Sequence, residues 1–136
     1  MPFLSLILIR TALLYLAIGF TLGGLILLNK AVPFQPALWR LLPLHVEFTL
    51  VGWIIQFVMG AAYWMLPRLG QYRPRGSDVP VWGTIICLNA GIWLAGIATF
   101  VSSPFPLEMA GRMLEFAAIV LFAVHAWPRV RPFGEG

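Results

Sequence analysis

The chain has 136 residues, of which 60% are hydrophobic and only 10% are charged, and its formal net charge is +4. A soluble globular domain carries about 25% charged residues, so this composition excludes an ordinary soluble protein and predicts one small integral membrane domain. The basic residues lie in loops and at helix ends, where membrane topology explains them, so the positive charge does not indicate nucleic-acid binding.

Apolar segments close to the ~20 residues that a bilayer crossing requires follow one another along the chain. Their pattern predicts an all-α fold, a membrane four-helix bundle forming a single domain. The first segment is longer than a signal-peptide core and follows no basic leader, so we expect it to stay uncleaved. The four predicted spans cover about residues 6–28, 44–66, 79–101 and 107–127.

Small residues in these segments predict close helix packing, because membrane helices associate through close backbone approach. Each of three segments carries such residues at helical spacing. They are Gly19 and Gly23 in the first segment, Gly91 and Ala95 in the third, and Ala110, Gly111, Ala117 and Ala118 in the fourth.

The second segment carries a stripe of polar and small residues on one helix face, at about 100° per residue. A histidine within a membrane helix predicts a functional site, because polar groups are costly there. Gly52 either packs against another helix or leaves room for a planar cofactor, and Gln56 lies on the same face. The stripe consists of His45, Thr49, Gly52, Gln56, Met59, Gly60 and Tyr63.

The third segment contains the single cysteine, Cys87, which predicts a small buried residue. One cysteine allows neither a disulfide within the chain nor a cysteine-based metal cluster. Asp78 lies at the start of this segment, where an acidic residue suits a helix N-terminus.

The fourth segment carries Glu108, Arg112 and Glu115 on one face, where Arg112 is expected to pair with Glu108 or Glu115. Together with Glu47, these charges form either an ion-pair cluster that fixes helix register or a site for a charged cofactor. In the second case Arg112 would lie near propionates or near an iron-bound group. His125 lies near the other end of this segment, where an interfacial histidine is expected.

The distribution of basic residues predicts that both termini are cytoplasmic. This topology places His45 and His125 at opposite sides of the membrane, so the two cannot bind one metal. Most basic residues fall on the predicted cytoplasmic side, namely Arg10, Arg68, Arg73, Arg75, Arg129 and Arg131, whereas Lys30 and Arg40 fall on the other side.

Metal chemistry narrows the candidate cofactors. Tetrahedral zinc needs several histidine or cysteine ligands, which this chain lacks. Copper could use His45 with the thioethers of Met109 and Met113. Heme needs only one or two axial ligands, apolar walls and a basic group, so of these cofactors heme fits the residues present best.

The segment LHVEFTLVGWIIQFVMGAAYWMLPR resembles the second transmembrane helix of the catalytic subunit of heme-copper oxidases, most closely in the nitric oxide reductase branch. In that family a histidine opens the helix, a glycine-rich middle follows, and an aromatic stretch ends in proline. The resemblance is confined mainly to residues 40–68, and the end of the motif is matched by Phe57, Gly60, Ala61, Ala62, Tyr63 and Pro67.

The resemblance implies that His45 is an axial ligand of a low-spin heme b near the outer side of a bacterial or archaeal cytoplasmic membrane. The family also has more spans and further histidines, so four spans are not expected to form a complete oxidase or reductase. The second axial ligand would then come from His45 of a second copy across a two-fold axis, from a partner subunit or from another residue type, or the iron would stay five-coordinate.

Three functions are therefore compatible with the sequence. The first is a small b-type heme protein that transfers electrons in a respiratory chain or binds nitric oxide or oxygen, with His45, Gly52, Gln56, Arg112 and Glu115 near the cofactor. The second is a cofactor-free accessory or assembly subunit of a respiratory membrane complex. The third is a copper-handling membrane protein. No residue is predicted to be catalytic.

Overall fold

Every regular element that the structure describes is a helix. The computed structural model describes residues 1–69, 75–101 and 106–130. The predicted all-α class is therefore confirmed for this part of the chain. Arg73 and Arg131, which contribute to the predicted orientation, lie outside the described residues.

The helices are interrupted where prolines occur. Pro36, Pro43 and Pro80 each occupy the first or second position of a helix, where the missing N–H costs no hydrogen bond. The elements are α1 (Phe3–Ala31), a 3₁₀-helix (Pro36–Leu41), α2 (Leu42–Glu47), a π-helical segment (Phe48–Ile55), α3 (Gln56–Met65), α4 (Val79–Ala98), α5 (Leu107–Ala126) and a 3₁₀ turn (Trp127–Arg129).

Three stretches are long and apolar enough to cross a membrane: Phe3–Ala31, Pro36–Met65 and Val79–Ala98. Pro36–Met65 is called the second span below. The predicted fourth span corresponds to α5. The N-terminal half of α5 carries three charged residues, and this helix is not among those apolar enough to cross a membrane by length and composition. Length and composition thus support three of the four predicted spans.

The helices pack as two pairs, α1 with the second span and α4 with α5. The second pair is held by backbone contact, because Gly91 and Gly111 face each other: a Cβ on Gly111 would lie 2.9 Å from the Gly91 carbonyl oxygen. The Tyr15 hydroxyl donates a 2.9 Å hydrogen bond to Asn89 Oδ1, which joins α1 to α4. The prediction that small residues mediate helix packing agrees with these contacts.

The second span is not a uniform α-helix, because residues Phe48–Ile55 form π-helical turns. These wider turns change which side chains face inward before Gly52. From Gly52 to Tyr63 the predicted face is buried, at Gly52, Gln56, Met59, Gly60 and Tyr63. Toward the N-terminus of the span, the buried residues are instead Glu47 and Phe48, whereas His45 and Thr49 of the predicted face are only half-buried.

Phe48 packs edge-on between two aromatic rings, with its centroid 5.0 Å from that of Tyr15 and 5.3 Å from that of Trp93. This aromatic packing connects α1, the second span and α4. His45 and Glu47 lie on different sides of α2, since His45 contacts α1 and Glu47 contacts α5.

Candidate functional site

His45 lies in the first turns of α2, and its side chain contacts α1. Its Nδ1 atom is 2.7 Å from the carbonyl oxygen of Gly19. The ring lies directly over Gly23, where a Cβ would come within 2.6 Å of the His45 Cε1 atom. Two glycines one helical turn apart therefore provide the hydrogen-bond acceptor and the space that hold this ring.

The hydrogen bond to Gly19 assigns the tautomer of a neutral His45. A carbonyl oxygen can only accept, so Nδ1 must carry the proton and donate it. The lone pair of a neutral imidazole is then on Nε2. Metal-binding histidines commonly have this arrangement, in which the second ring nitrogen donates to a backbone carbonyl and fixes the ring.

An open pocket of about 600 Å³ lies beside His45, a volume within the range of small-molecule and cofactor sites. Its walls are mostly apolar, and Lys30 supplies one cation. The glycines of α1 leave part of the wall without side chains. The lining comprises Phe20, Gly23, Gly24, Ile26, Leu27, Lys30, Trp39, Leu42 and His45.

A second polar group, the carboxylate cluster, consists of Glu47, Arg112 and Glu115. The Nη1 atom of Arg112 lies 2.6 Å from Glu47 Oε2 and 2.9 Å from Glu115 Oε2. The prediction that Arg112 pairs with Glu108 or Glu115 is confirmed for Glu115. Glu108 is exposed, and Arg112 contacts Glu47 as well. The cluster joins α5 to α2.

The five residues predicted to bind a cofactor do not form a single site. Only His45 lines the pocket. Gly52 packs beneath Tyr15, whose Cγ atom would be 2.6 Å from a Cβ at this position. Gln56 is fully buried, and neither amide atom has a hydrogen-bond partner among the described residues. Arg112 and Glu115 belong to the carboxylate cluster.

The side chains proposed for copper are not brought together. Met109 and Met113 are exposed on α5, with 66% and 63% of their surface accessible, whereas His45 faces α1. Within the described residues, no group of three or more histidine, cysteine or acidic side chains is arranged to hold a metal ion.

The opposite end of the bundle is held by Arg129, which the sequence did not single out for a structural role. Its fully buried guanidinium donates hydrogen bonds to the carbonyl oxygens of Tyr63, Leu66 and Pro67, at 2.8–3.1 Å. These carbonyls end α3 and lack helical partners, so Arg129 caps the helix C-terminus. Burial lowers the pKa of Arg129 from its ordinary value.

His125 belongs to this second end rather than to the His45 pocket. It is 7% exposed, and its ring centroid lies 5.6 Å from that of Tyr63. The Tyr63 hydroxyl donates to Asp78 Oδ1 at 2.9 Å. His125 is therefore buried between α3 and α5, and its position at the membrane interface stays a prediction.

Sequence reasoning missed Gly23 and Lys30 as neighbours of His45. The GxxxG spacing of Gly19 and Gly23 predicted helix packing. It was the one sequence feature on α1 that indicated a close approach at the positions where His45 lies. No family model, no curated protein and no solved structure matches this chain. The resemblance of residues 40–68 to an oxidase helix therefore rests on the motif itself.

Proposed function

We propose that this chain is a small membrane b-type heme protein, in which His45 supplies an axial ligand through Nε2, and that it transfers electrons or binds a diatomic gas. The observation that carries the proposal is the hydrogen bond from His45 Nδ1 to the Gly19 carbonyl. That bond leaves the other ring nitrogen of a neutral imidazole able to coordinate iron.

The residues around His45 fit a planar, mostly apolar group with an acidic edge. Gly24 leaves part of the α1 face without a side chain, Phe20 and Trp39 add aromatic walls, and Lys30 can pair with a propionate. A bound heme would supply one-electron redox chemistry or an open coordination position for a gas. The protein contributes the ligand, its fixed orientation and an apolar surround.

We propose Lys30, rather than Arg112, as the cation that lies near the propionates of the heme. Arg112 already binds two carboxylates and contacts α2 through Glu47, whereas Lys30 lines the same pocket as His45. A cation at the pocket edge is the expected partner of a carboxylate on the cofactor.

The chain's other histidine would not be a second ligand to a bound heme, because His125 packs against Tyr63 at the opposite end. The pocket is open, and Phe20, Leu27 and Trp39 on its walls are exposed. We therefore propose that a second copy or a partner subunit covers it, or that the iron stays five-coordinate. The proposed location is a bacterial or archaeal cytoplasmic membrane, with both termini cytoplasmic and His45 near the outer side.

Optical spectra of the full chain, purified in detergent from heme-supplied cells, test the proposal. The air-oxidised and dithionite-reduced wild type should show a Soret band and reduced α and β bands. His45→Ala should lose more than about 90% of this absorbance, since the only protein ligand identified is removed. His125→Gln is the matched control and should retain it.

Two further measurements separate lost ligation from lost structure. Circular dichroism and gel filtration should show the same helix content and size for His45→Ala and the wild type. Added imidazole should restore heme absorbance to the variant, because the ligand would enter the space left by the side chain. A folded, heme-supplied wild type without a Soret band would overturn the heme assignment and favour an accessory subunit.

A further inference from the structure

Arg129 is a buried cation without an anionic partner. It has no exposed surface, and the three hydrogen bonds that it donates all go to uncharged backbone carbonyls. Its Nη1 atom is also buried and has no hydrogen-bond partner among the described residues. Both ion pairs within residues 1–69, 75–101 and 106–130 involve Arg112, so no carboxylate there pairs with Arg129. A buried charge is costly unless it is paired, so the surroundings of Arg129 indicate a missing anion.

Two more buried nitrogens without partners lie at the same end of the bundle. Within the described part of the chain, Arg75 Nε and His125 Nε2 are inaccessible to solvent and take part in no hydrogen bond. Arg129 Cζ lies 5.3 Å from the centroid of the Tyr63 ring, and the centroid of the His125 ring lies 5.6 Å from it. Burial and the charge of Arg75 both lower the pKa of Arg129, so the two arginines are close enough to interact. Arg75, His125 and Arg129 are called the basic cluster below.

The unused nitrogens of the basic cluster call for an acceptor that is negatively charged. Guanidinium nitrogens only donate hydrogen bonds, and a histidine Nε2 donates when it carries the proton. The described acidic group at this end is Asp78, which is exposed and already accepts the hydroxyl hydrogen of Tyr63 at 2.9 Å. Two arginines and this aspartate leave a net charge of +1. An anion with several acceptor oxygens would satisfy both the charge and the donors.

We infer that the basic cluster binds a phosphate group, carried by an anionic lipid headgroup or by free phosphate. A phosphate presents several oxygens and a negative charge, which match the donors of two guanidinium groups and one imidazole. Basic pockets between membrane helices are an established kind of site for lipid phosphates. The neighbouring Trp127 and Val130 are 81% and 69% exposed, and a tryptophan there suits contact with lipid at the headgroup level.

The donors of the basic cluster are covered, so a phosphate must enter where the chain can move aside. Gly76 has a φ of 82°, a left-handed conformation that favours glycine, and a Cβ on it would lie 3.7 Å from His125 Cε1. The next two residues, Ser77 and Asp78, are exposed. Displacement of this short segment would open the His125 side of the cluster. The site lies at the end opposite His45, so the inference stands independently of any heme.

Binding of two probes to the delipidated full protein in detergent tests the inference and separates the two sources. Native mass spectrometry compares phosphatidylglycerol with phosphatidylcholine, and equilibrium dialysis measures radiolabelled inorganic phosphate. Wild type should retain a single phosphatidylglycerol per chain in preference to phosphatidylcholine, whose headgroup carries its own compensating cation. Binding of inorganic phosphate without this lipid preference would support the same site and assign it to the free anion.

Arg75→Gln is the decisive variant, because Arg129→Gln would also remove the cap of α3. It should weaken binding of the retained probe about 10-fold, as expected for the loss of a charge-assisted hydrogen bond. Arg68→Gln is the matched control: it removes an exposed arginine, and the same charge, from the same end and should bind like the wild type. Circular dichroism confirms that both variants fold.

Three results would overturn the inference. The first is a folded wild type that binds neither probe. The second is an equal loss in Arg75→Gln and Arg68→Gln, which would indicate attraction by net charge rather than a site. Glu135 lies outside the described residues, so Glu135→Gln is measured as well. Binding that arises only in this third variant would assign the basic cluster to the chain's own carboxylate.

Discussion

The two helix pairs use glycine in different ways. Between α1 and the second span, glycines receive side chains: the His45 ring lies on Gly23, and Tyr15 lies on Gly52. Between α4 and α5, Gly91 and Gly111 lie against backbone atoms as well, since a Cβ on Gly111 would lie 2.7 Å from the Ala95 nitrogen. The first interface can therefore orient a functional ring, whereas the second brings two backbones into direct contact.

This difference teaches that small residues at helical spacing serve two purposes in one bundle. The α4–α5 contact fixes α5, and a Cβ on Gly91 would meet the Glu115 side chain at 2.7 Å, so close packing also positions the carboxylate cluster. The α1 contact positions His45 by a hydrogen bond and leaves an open pocket beside it. Substitution of single glycines should separate these two roles.

The largest effect is expected for Gly111→Ala, which breaks the backbone contact. The new methyl group would meet the Ala95 nitrogen and the Gly91 oxygen, neither of which can rotate away. We expect a loss of about 1–3 kcal/mol in the free energy of unfolding. Titration of the detergent-solubilised protein with SDS, followed by circular dichroism, measures it.

Gly83→Ala is the matched control on the same helix pair. Its Cβ would meet only the tip of the Leu121 side chain, at 3.1 Å, and that tip can move. Its unfolding transition should stay near that of the wild type. Equal losses in the two variants would contradict the distinction between backbone and side-chain contacts.

A smaller effect, on heme affinity rather than on the free energy of unfolding, is expected for Gly23→Ala. The methyl group would displace the His45 ring, a side chain that can turn, and so would weaken its hydrogen bond to Gly19. Heme affinity should fall about 10-fold, the lower range for a lost supporting contact around a ligand. Heme titration measures the affinity, and an unchanged value in a folded variant would contradict the proposed role of this ring.

Helix content and the presence of helices apolar enough to cross a membrane were predictable from the sequence, because they depend on composition and on local periodicity. The inward face of α3 followed the expected spacing through Gln56, Met59 and Tyr63, each of which is buried. The spacing failed before Gly52, because π-helical turns change the residues per turn and put Glu47 inside. No local residue pattern identifies such turns.

The partners of the predicted site residues could not be predicted, since they depend on how distant helices meet. Arg112 was expected to pair within its own helix, but it also contacts Glu47, a residue far away in the chain. Arg129 caps a helix that ends more than sixty residues earlier, with the contact to Leu66 spanning 63 positions. Sequence reasoning identified the polar groups but not which of them meet.

The smallest effect is expected for Gly24→Ala, which tests the α1 face without disturbing any contact. No atom lies within 4 Å of the position that its Cβ would occupy, and the residue is exposed. Alanine restricts the unfolded chain more than glycine does, so the helix should gain up to about 0.5–1 kcal/mol of stability in the same SDS titration. Heme affinity should change less than in Gly23→Ala, because the His45 ring is untouched. A larger loss of affinity at Gly24 than at Gly23 would mean that the cofactor lies directly on the bare α1 face and that this contact, more than the orientation of the ring, determines binding.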